Sequence, residues 1–210
     1  MALYGGLAKE NHLSEFTEPL ILGDTGTLTP DERIALVLAN LGMGTLGIEA
    51  GAGVTAGTGT VYASSVQKIG GIYHTKILVD ITGLTSSATN NDIIGVDATG
   101  AAHLGQITAA VNGTILTGTM TCLEAPLTGD PDIDLYAANE ATGVEDTLIT
   151  DLTGEAALVA SAASWTNGRV LPFAAVPTAN QYLYLTVGNT GVAGVYTAGK
   201  FLIELQGYDA

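Results

Sequence analysis

Three aspartates at alternate positions come closest to a chemical site in this sequence. Asp130, Asp132 and Asp134 lie in the stretch Gly-Asp-Pro-Asp-Ile-Asp-Leu, and alternate carboxylates can converge on a hard cation such as calcium. An EF-hand loop that began at Asp130 would need glycine at Leu135 and glutamate at Ala141, and the sequence meets neither requirement. We therefore expect a loop that leads into a strand with outward-facing acids, and we keep the three aspartates as weak calcium candidates.

The other reactive side chains are too scattered to form a recognisable catalytic or metal-binding motif. Glu145 and Asp146 make a second acidic spot that keeps the calcium hypothesis open, whereas no two of the three histidines have metal-ligand spacing. The histidines are His12, His74 and His103. Cys122 lies in an apolar stretch and is expected to be a small buried residue. No Gly-x-Ser-x-Gly motif occurs, so we predict a protein that is not an enzyme and has no cofactor, although a Ser–His pair assembled by the fold stays open.

Two short motifs match a functional pattern in letters but not in context. Gly42-Met-Gly44-Thr-Leu-Gly47 has the glycine spacing of a dinucleotide-binding turn, yet it follows a predicted helix where that turn needs a strand. Asn112-Gly113-Thr114 has the letters of a glycosylation acceptor, but Asn-Gly between two β-rich stretches is a strong hairpin signal. We therefore predict neither a nucleotide site nor a glycan at these positions.

The charge of the chain restricts its partners. With 21 acidic and 6 basic side chains, the formal net charge is -15, which disfavours nucleic acids and anionic membranes. The first residues lack the pattern of a signal peptide, and no stretch approaches the roughly 18 apolar residues of a membrane-spanning helix. We expect a protein made in the cytoplasm, and its single cysteine excludes an intrachain disulfide.

Residues 1–50 are predicted to be an arm that carries one short helix. Thr29 is a suitable N-cap, Pro30 fits the first helical position and Glu32 completes a capping box, which predicts a helix over 30–41. The apolar side chains of this arm need a surface to cover them, so we predict contacts with another chain or with the rest of this one. These interface candidates are Leu3, Tyr4, Phe16, Leu20, Ile21, Ile34, Val37, Leu38 and Leu41.

The remainder of the chain is predicted to be a Gly-rich linker, 51–59, followed by a β domain over 60–210. Apolar and polar residues alternate in short stretches of this domain, as expected for half-buried strands. The predicted strands are 60–67, 73–81, 92–96, 104–111, 114–123, 132–138, 169–176, 181–187 and 200–206. Asn112-Gly113 and Asn167-Gly168 are expected to be hairpin turns. The class is therefore all-β, a single antiparallel, jelly-roll-like β-sandwich.

Several segments resemble a family of small structural proteins of marine tailed bacteriophages, including phages of abundant ocean bacteria and cyanobacteria. They include Gly57-Thr-Gly-Thr-Val-Tyr-Ala-Ser-Ser-Val66, Lys68-Ile-Gly-Gly71, Ala102-His-Leu-Gly-Gln-Ile-Thr-Ala-Ala110, Met120-Thr-Cys-Leu-Glu-Ala-Pro126, Asp132-Ile-Asp-Leu-Tyr136, Ala198-Gly-Lys-Phe-Leu-Ile-Glu-Leu205 and the ending Gly207-Tyr-Asp-Ala210. The likeness covers roughly 51–210, and residues 1–50 do not share it.

The resemblance implies a virion component without a catalytic motif. The expected function is that of a decoration, or cement, protein on the outside of a phage capsid. Its expected partners are the major capsid protein and further copies of the same chain, arranged as a homotrimer. The alternative is a host-recognition module of the fibre or knob type, whose loops would bind glycans.

Overall fold

The computed structural model describes residues 47–189 and 191–209. The predicted helix over 30–41 and all nine interface candidates of the arm lie outside the described residues, so these predictions stay predictions. The compact unit that contains the described residues begins at Leu46.

Eleven β-strands and two one-turn helices make up the regular structure of the described residues. The strands are β1 (Val61–Ile69), β2 (Ile72–Asp80), β3 (Thr85–Ser86), β4 (His103–Gln106), β5 (Thr114–Leu127), β6 (Ile133–Ala138), β7 (Ala156–Val159), β8 (Val170–Pro172), β9 (Tyr182–Val187), β10 (Gly194–Val195) and β11 (Ala198–Tyr208). The helices are α1 (Ala52–Thr55) and α2 (Ala109–Asn112), and a 3₁₀ turn spans Ile149–Asp151.

The strands form two antiparallel sheets with jelly-roll topology. The first sheet has the order β1-β2-β11-β5-β8, the second has the order β4-β9-β6-β7, and β3 pairs with β10 beside them. When β1 and the small pair are set aside and the other eight strands are numbered in chain order, the sheets become 1-8-3-6 and 2-7-4-5. That is the arrangement of a jelly roll, which is built from two Greek keys. The prediction of an all-β antiparallel sandwich is confirmed.

Alternating side chains fill one core shared by the two sheets. In the first sheet, Ile203 lies directly between Ile77 and Met120 on the neighbouring strands, and all three are 0% exposed. In the second sheet Leu135 pairs with Leu185 on the inward face. Burying a side chain of this size contributes roughly 1.5–3 kcal/mol to stability, so cross-strand rows of this kind hold the sandwich together.

Both predicted Asn-Gly hairpins are wrong, because each turn joins strands of different sheets. Asn112 ends α2, and Gly113 follows it with φ of +69° before β5 begins in the other sheet. Asn167-Gly168 lies between β7 of the second sheet and β8 of the first. The local turn signal is genuine, but a jelly roll uses it to cross from sheet to sheet.

Alternation over 114–123 predicts that Leu116 faces the same way as Met120 and Cys122, but Leu116 is 56% exposed whereas the other two are 0% exposed. Gln206 pairs with Thr117, whereas the next residue of β11 pairs with Ile115. Leu116 is therefore the extra residue of a β-bulge, which reverses the facing of all residues before it.

Residues 51–59, predicted to be a linker, pack against the β domain. The amides of Gly51 and Gly53 donate to the carbonyls of His103 and Ala101, each at 2.8 Å, and Val54 is buried. A Cβ atom at Gly51 would lie 2.1 Å from the Ala101 carbonyl oxygen. The glycine here permits close backbone contact rather than flexibility.

Other predicted strands are shorter in the structure than in the sequence pattern. Residues 104–111 divide into β4 and α2, and 169–176 contributes the three residues of β8. Residues 92–96 form isolated bridges, among them Ile93 with Thr186. These segments lie at sheet crossings, where alternation of residue types continues after strand pairing has ended.

We expect Asn112→Ala to lower the free energy of unfolding by about 2–3 kcal/mol, because buried Thr75 and half-buried Thr108 would lose hydrogen bonds to the buried Asn112 side chain. The Asn112 side chain donates to the Thr75 hydroxyl at 2.9 Å and accepts from the Thr108 amide at 2.9 Å. Urea unfolding followed by the fluorescence of the single, buried Trp165 measures the change.

Asn167→Ala is the matched control, since it alters the same dipeptide at an exposed position. Asn167 accepts one hydrogen bond, from the Ala125 amide at 2.7 Å, so its loss should cost at most about 1 kcal/mol. Equal losses for the two variants would contradict the structural importance assigned to the Asn112 side chain.

Candidate functional site

The three candidate aspartates lie at the start of β6 and are buried. Asp130, Asp132 and Asp134 are 0%, 1% and 5% exposed, so the expectation of outward-facing acids is wrong. Asp130 and Asp132 lie on a loop that leads into β6, as predicted, and Asp134 is the second residue of that strand. Buried carboxylates need hydrogen-bond or ionic partners, and the partners found here decide what these residues do.

Asp130 and Asp132 accept hydrogen bonds from loop backbone amides. The two oxygens of Asp130 accept from the amides of Asp132 at 2.7 Å and Val192 at 2.9 Å. Oδ2 of Asp132 accepts from the Asn189 amide at 3.0 Å, while its Oδ1 is buried without a partner among the described residues. Both side chains therefore fix the 188–192 loop to the start of β6.

Asp134 is directed to a different loop. Its Oδ1 accepts from the Ser161 amide at 2.6 Å, beyond the end of β7. Burial raises its pKa to about 6, the Ser161 hydrogen bond opposes that rise, and the charges of Asp132 and Asp130 add to it. At neutral pH this carboxylate is ionised at a cost to folding.

The calcium hypothesis is not supported by this arrangement. Asp130 and Asp132 accept from the amides of Val192 and Asn189, whereas Asp134 accepts from the Ser161 amide, so the carboxylates are used to hold two different loops. In the ranges 47–189 and 191–209, no three His, Cys, Asp or Glu side chains form a group that could hold a metal ion. The geometry shows three loop-fixing acids instead.

At the second acidic spot, burial and neighbouring acids raise the pKa values of Asp92 and Glu145. Burial raises the pKa of Asp92, and the nearby Asp146 adds to the effect, while the Ser87 hydroxyl donates to Asp92 at 2.6 Å. The pKa of Glu145 is raised by burial and then by Asp146, Asp97 and Asp92. This part of the surface is therefore strongly anionic.

Arg169 is a structural residue that sequence analysis did not single out. Its guanidinium donates to the carbonyls of Ser161 and Ala163, both at 2.7 Å, and to the Ser161 hydroxyl at 2.9 Å. It also lies over the Trp165 ring, 5.1 Å from the centroid. A single arginine carries no sequence motif. Its hydrogen bonds to Ser161 and Ala163 therefore become apparent only in the folded structure.

The basic side chains are concentrated on the first sheet. The chain has 21 acidic and 6 basic residues, of which six acids and two bases lie in residues 1–46. The described residues therefore contain 15 acids and four bases. Three of those four bases lie on strands of the first sheet and pair with acids of the same sheet or its end. The pairs are Lys68–Asp209, Lys76–Glu204, Lys200–Asp80 and Lys200–Glu124.

The side of the first sheet that faces away from the core is called here the outer face. Strand register arranges its side chains in rows that run across the sheet. One row is Ser65, Lys76, Glu204 and Thr119, the next is Ala63, Leu78, Leu202, Thr121 and Val170, and the third is Val61, Asp80, Lys200 and Glu124. These residues are exposed or half-buried, so the outer face is a broad surface of small, apolar and paired charged side chains.

The remaining candidates for chemistry have structural surroundings. Cys122 is buried, which raises the pKa of its thiol, as expected for a small core residue. The position of His103 just before a predicted strand predicts an exposed side chain, but His103 is half-buried and its ring lies 5.0 Å from that of Tyr182. Burial lowers the pKa of His103. His74 lies half-buried on the outer face.

Fold and surface together define a jelly-roll β-sandwich with a charge-compensated sheet face and an acidic loop region. Comparison of the chain with protein-family models, curated proteins and solved structures finds no match. Within the described part of the chain, no helix has the length and apolar character needed to cross a membrane.

We expect Asp134→Asn to stabilise the protein at neutral pH by on the order of 1 kcal/mol, allowing for partial solvent screening. The folded pKa of about 6 exceeds the ordinary value of 3.8, so the folded state retains a proton that the unfolded chain releases between these values. Stability therefore falls as pH rises through that window. Asparagine keeps the oxygen that accepts from Ser161, and urea unfolding across the window measures the difference from wild type.

Glu140→Gln is the control of opposite sign. Hydrogen bonds from the Thr153 hydroxyl and amide hold the Glu140 pKa below its usual value, so this group stabilises the fold above its unfolded pKa. The substitution should slightly reduce stability at neutral pH. If the free energy of unfolding had the same pH dependence in the wild type and in Asp134→Asn, the raised pKa assigned to Asp134 would be contradicted.

Proposed function

We propose that this protein is a non-enzymatic component of a phage virion that binds the outside of the capsid and stabilises it. The single observation that carries the proposal is the separation of charge in the β domain. Outside the paired charges of the first sheet, the described residues have eleven acids and one base, Arg169. A domain with one compensated face and a strongly acidic remainder suits a protein that adheres on one side and repels on the other.

The architecture is compatible with this function. Jelly rolls occur in viral capsid proteins, and also in lectins and cupins, so the fold by itself supports a structural function only by analogy. The likeness of residues 51–210 to marine phage structural proteins adds the viral part of the proposal. Neither consideration depends on a catalytic group.

The mechanism would be mechanical. Each copy adds a modest interface across neighbouring capsid subunits, and many repeated contacts together oppose separation of the shell. The domain suits this task because its loops are fixed to the sheets by side chains such as Asp130, Asp134 and Arg169. The acidic surface facing away from the shell would limit aggregation of virions.

Counting and locating the protein in a virion reconstruction tests the proposal directly. A decoration protein should be present in many copies over the whole shell. A few copies at the tail or the vertices would contradict it and favour the host-recognition alternative, for which binding to a panel of bacterial surface glycans is the next measurement.

Removing residues 1–46 should weaken binding to capsids at least about tenfold if the apolar arm contributes contacts. The cut is placed after residue 46 because Ile48 is 7% exposed, and its amide and carbonyl both bond to the Ser64 hydroxyl. Co-sedimentation with capsids lacking the protein measures the binding.

The truncated chain must keep the melting temperature and Trp165 fluorescence of the full chain for the comparison to hold. Ile48→Asp in the full-length chain is the matched comparison, since it should destabilise the β domain while leaving the arm in place. Undiminished capsid binding by a folded, truncated chain would refute the contribution of the arm.

A further inference from the structure

The outer face of the first sheet is complementary to itself. Strand register places Lys76 beside Glu204, Leu78 beside Leu202 and Asp80 beside Lys200, along the boundary between β2 and β11. A twofold axis parallel to the strands and above this boundary would exchange β2 and β11 between two stacked copies. Each lysine would then lie opposite a carboxylate of the other copy, and each leucine opposite a leucine.

The size of the outer face matches what a stable contact requires. Five strands at about 4.8 Å spacing and about nine residues at 3.3 Å give a surface on the order of 600–700 Å², because β8 is short. Standard interfaces bury about 800 Å² per partner, within a range of roughly 600–1,000 Å². The small side chains Ala63, Ser65, Thr119 and Thr121 would allow two sheets to approach to the usual spacing of about 10 Å.

Electrostatics disfavours the other surfaces for contact between copies. The described residues have a formal charge of -11, from 15 acids and four bases, so two copies repel each other unless the contact is locally neutral. The outer face and its ends carry three lysines and four acids, and the acidic remainder offers no comparable match. A second copy presents lysines and acids at the matching positions because of the twofold symmetry. An unrelated partner would need its own complementary arrangement of charges.

We infer that two copies of this chain associate by stacking their outer faces, with Lys76 of each copy against Glu204 of the other. The inference does not require the proposed virion function, but both use the outer face, so a copy paired in this way cannot also bind a capsid through that face. The inference concerns a twofold contact, whereas the resemblance to phage proteins implies a trimer, and molecular mass distinguishes the two.

Charge reversal at the centre of the face tests this inference. Lys76→Glu and Glu204→Lys should each raise the dissociation constant at least about tenfold, because each puts like charges opposite one another. The two reversals change the net charge in opposite directions, so a common effect cannot come from overall repulsion. The double variant restores every pairing and should return the constant to within about threefold of wild type. Sedimentation equilibrium of the full chain measures these constants.

Lys68→Glu is the matched control, with the same change in net charge as Lys76→Glu. Lys68 pairs with Asp209 at the end of the sheet, outside the rows of the outer face, so its reversal should leave association almost unchanged. Thermal unfolding verifies that each variant is folded, since exposed pairs of this kind contribute little to stability.

Three results would overturn the inference. The first is a wild-type chain that stays monomeric up to about 100 µM, which would also be expected if other residues of the same chain cover the face. The second is a trimer or other assembly that is insensitive to Lys76→Glu and Glu204→Lys. The third is a double variant that associates no better than either single one, because self-complementarity requires its recovery.

Discussion

Burial of the inward faces of two sheets against each other is the constraint on which the rest of this structure depends. The row Ile77, Ile203 and Met120 draws its members from distant parts of the chain, so the sheet exists only when β2, β5 and β11 have come together. Each crossing from one sheet to the other then leaves a connection whose backbone N–H and C=O groups are outside both ladders. The buried acids and Arg169 supply hydrogen bonds at those connections.

That constraint also explains which parts of the fold could be predicted from sequence. Strands such as 73–81, 181–187 and 200–206 follow from alternation, because burial of one face is a local pattern. The pairing partner of a strand is not local, so the local signal of Asn112-Gly113 and Asn167-Gly168 predicts hairpins although each dipeptide ends a crossing between the sheets. The bulge at Leu116 was missed for a similar reason, since it is defined by pairing with β11.

The candidate site was predicted less well than the fold. Alternate aspartates suggest convergence when the chain is considered as an isolated strand, but Asp132 and Asp134 reach loops that are separated by many residues in sequence. Their burial could not be anticipated, because it depends on the 188–192 loop and the end of β7. Conversely, the outer face has no motif, and its rows become visible only once the register of four strands is known.

The two kinds of acid in this domain have opposite consequences for association. Buried acids such as Asp134 contribute negative charge that no base in the described residues neutralises by an ion pair, because their amide partners are uncharged. They increase the long-range repulsion between copies while holding the loops in place. Acids on the first sheet, such as Glu204, face lysines and add little to that repulsion. The requirement to fix crossing loops therefore leaves the first sheet as the side on which close contact costs least.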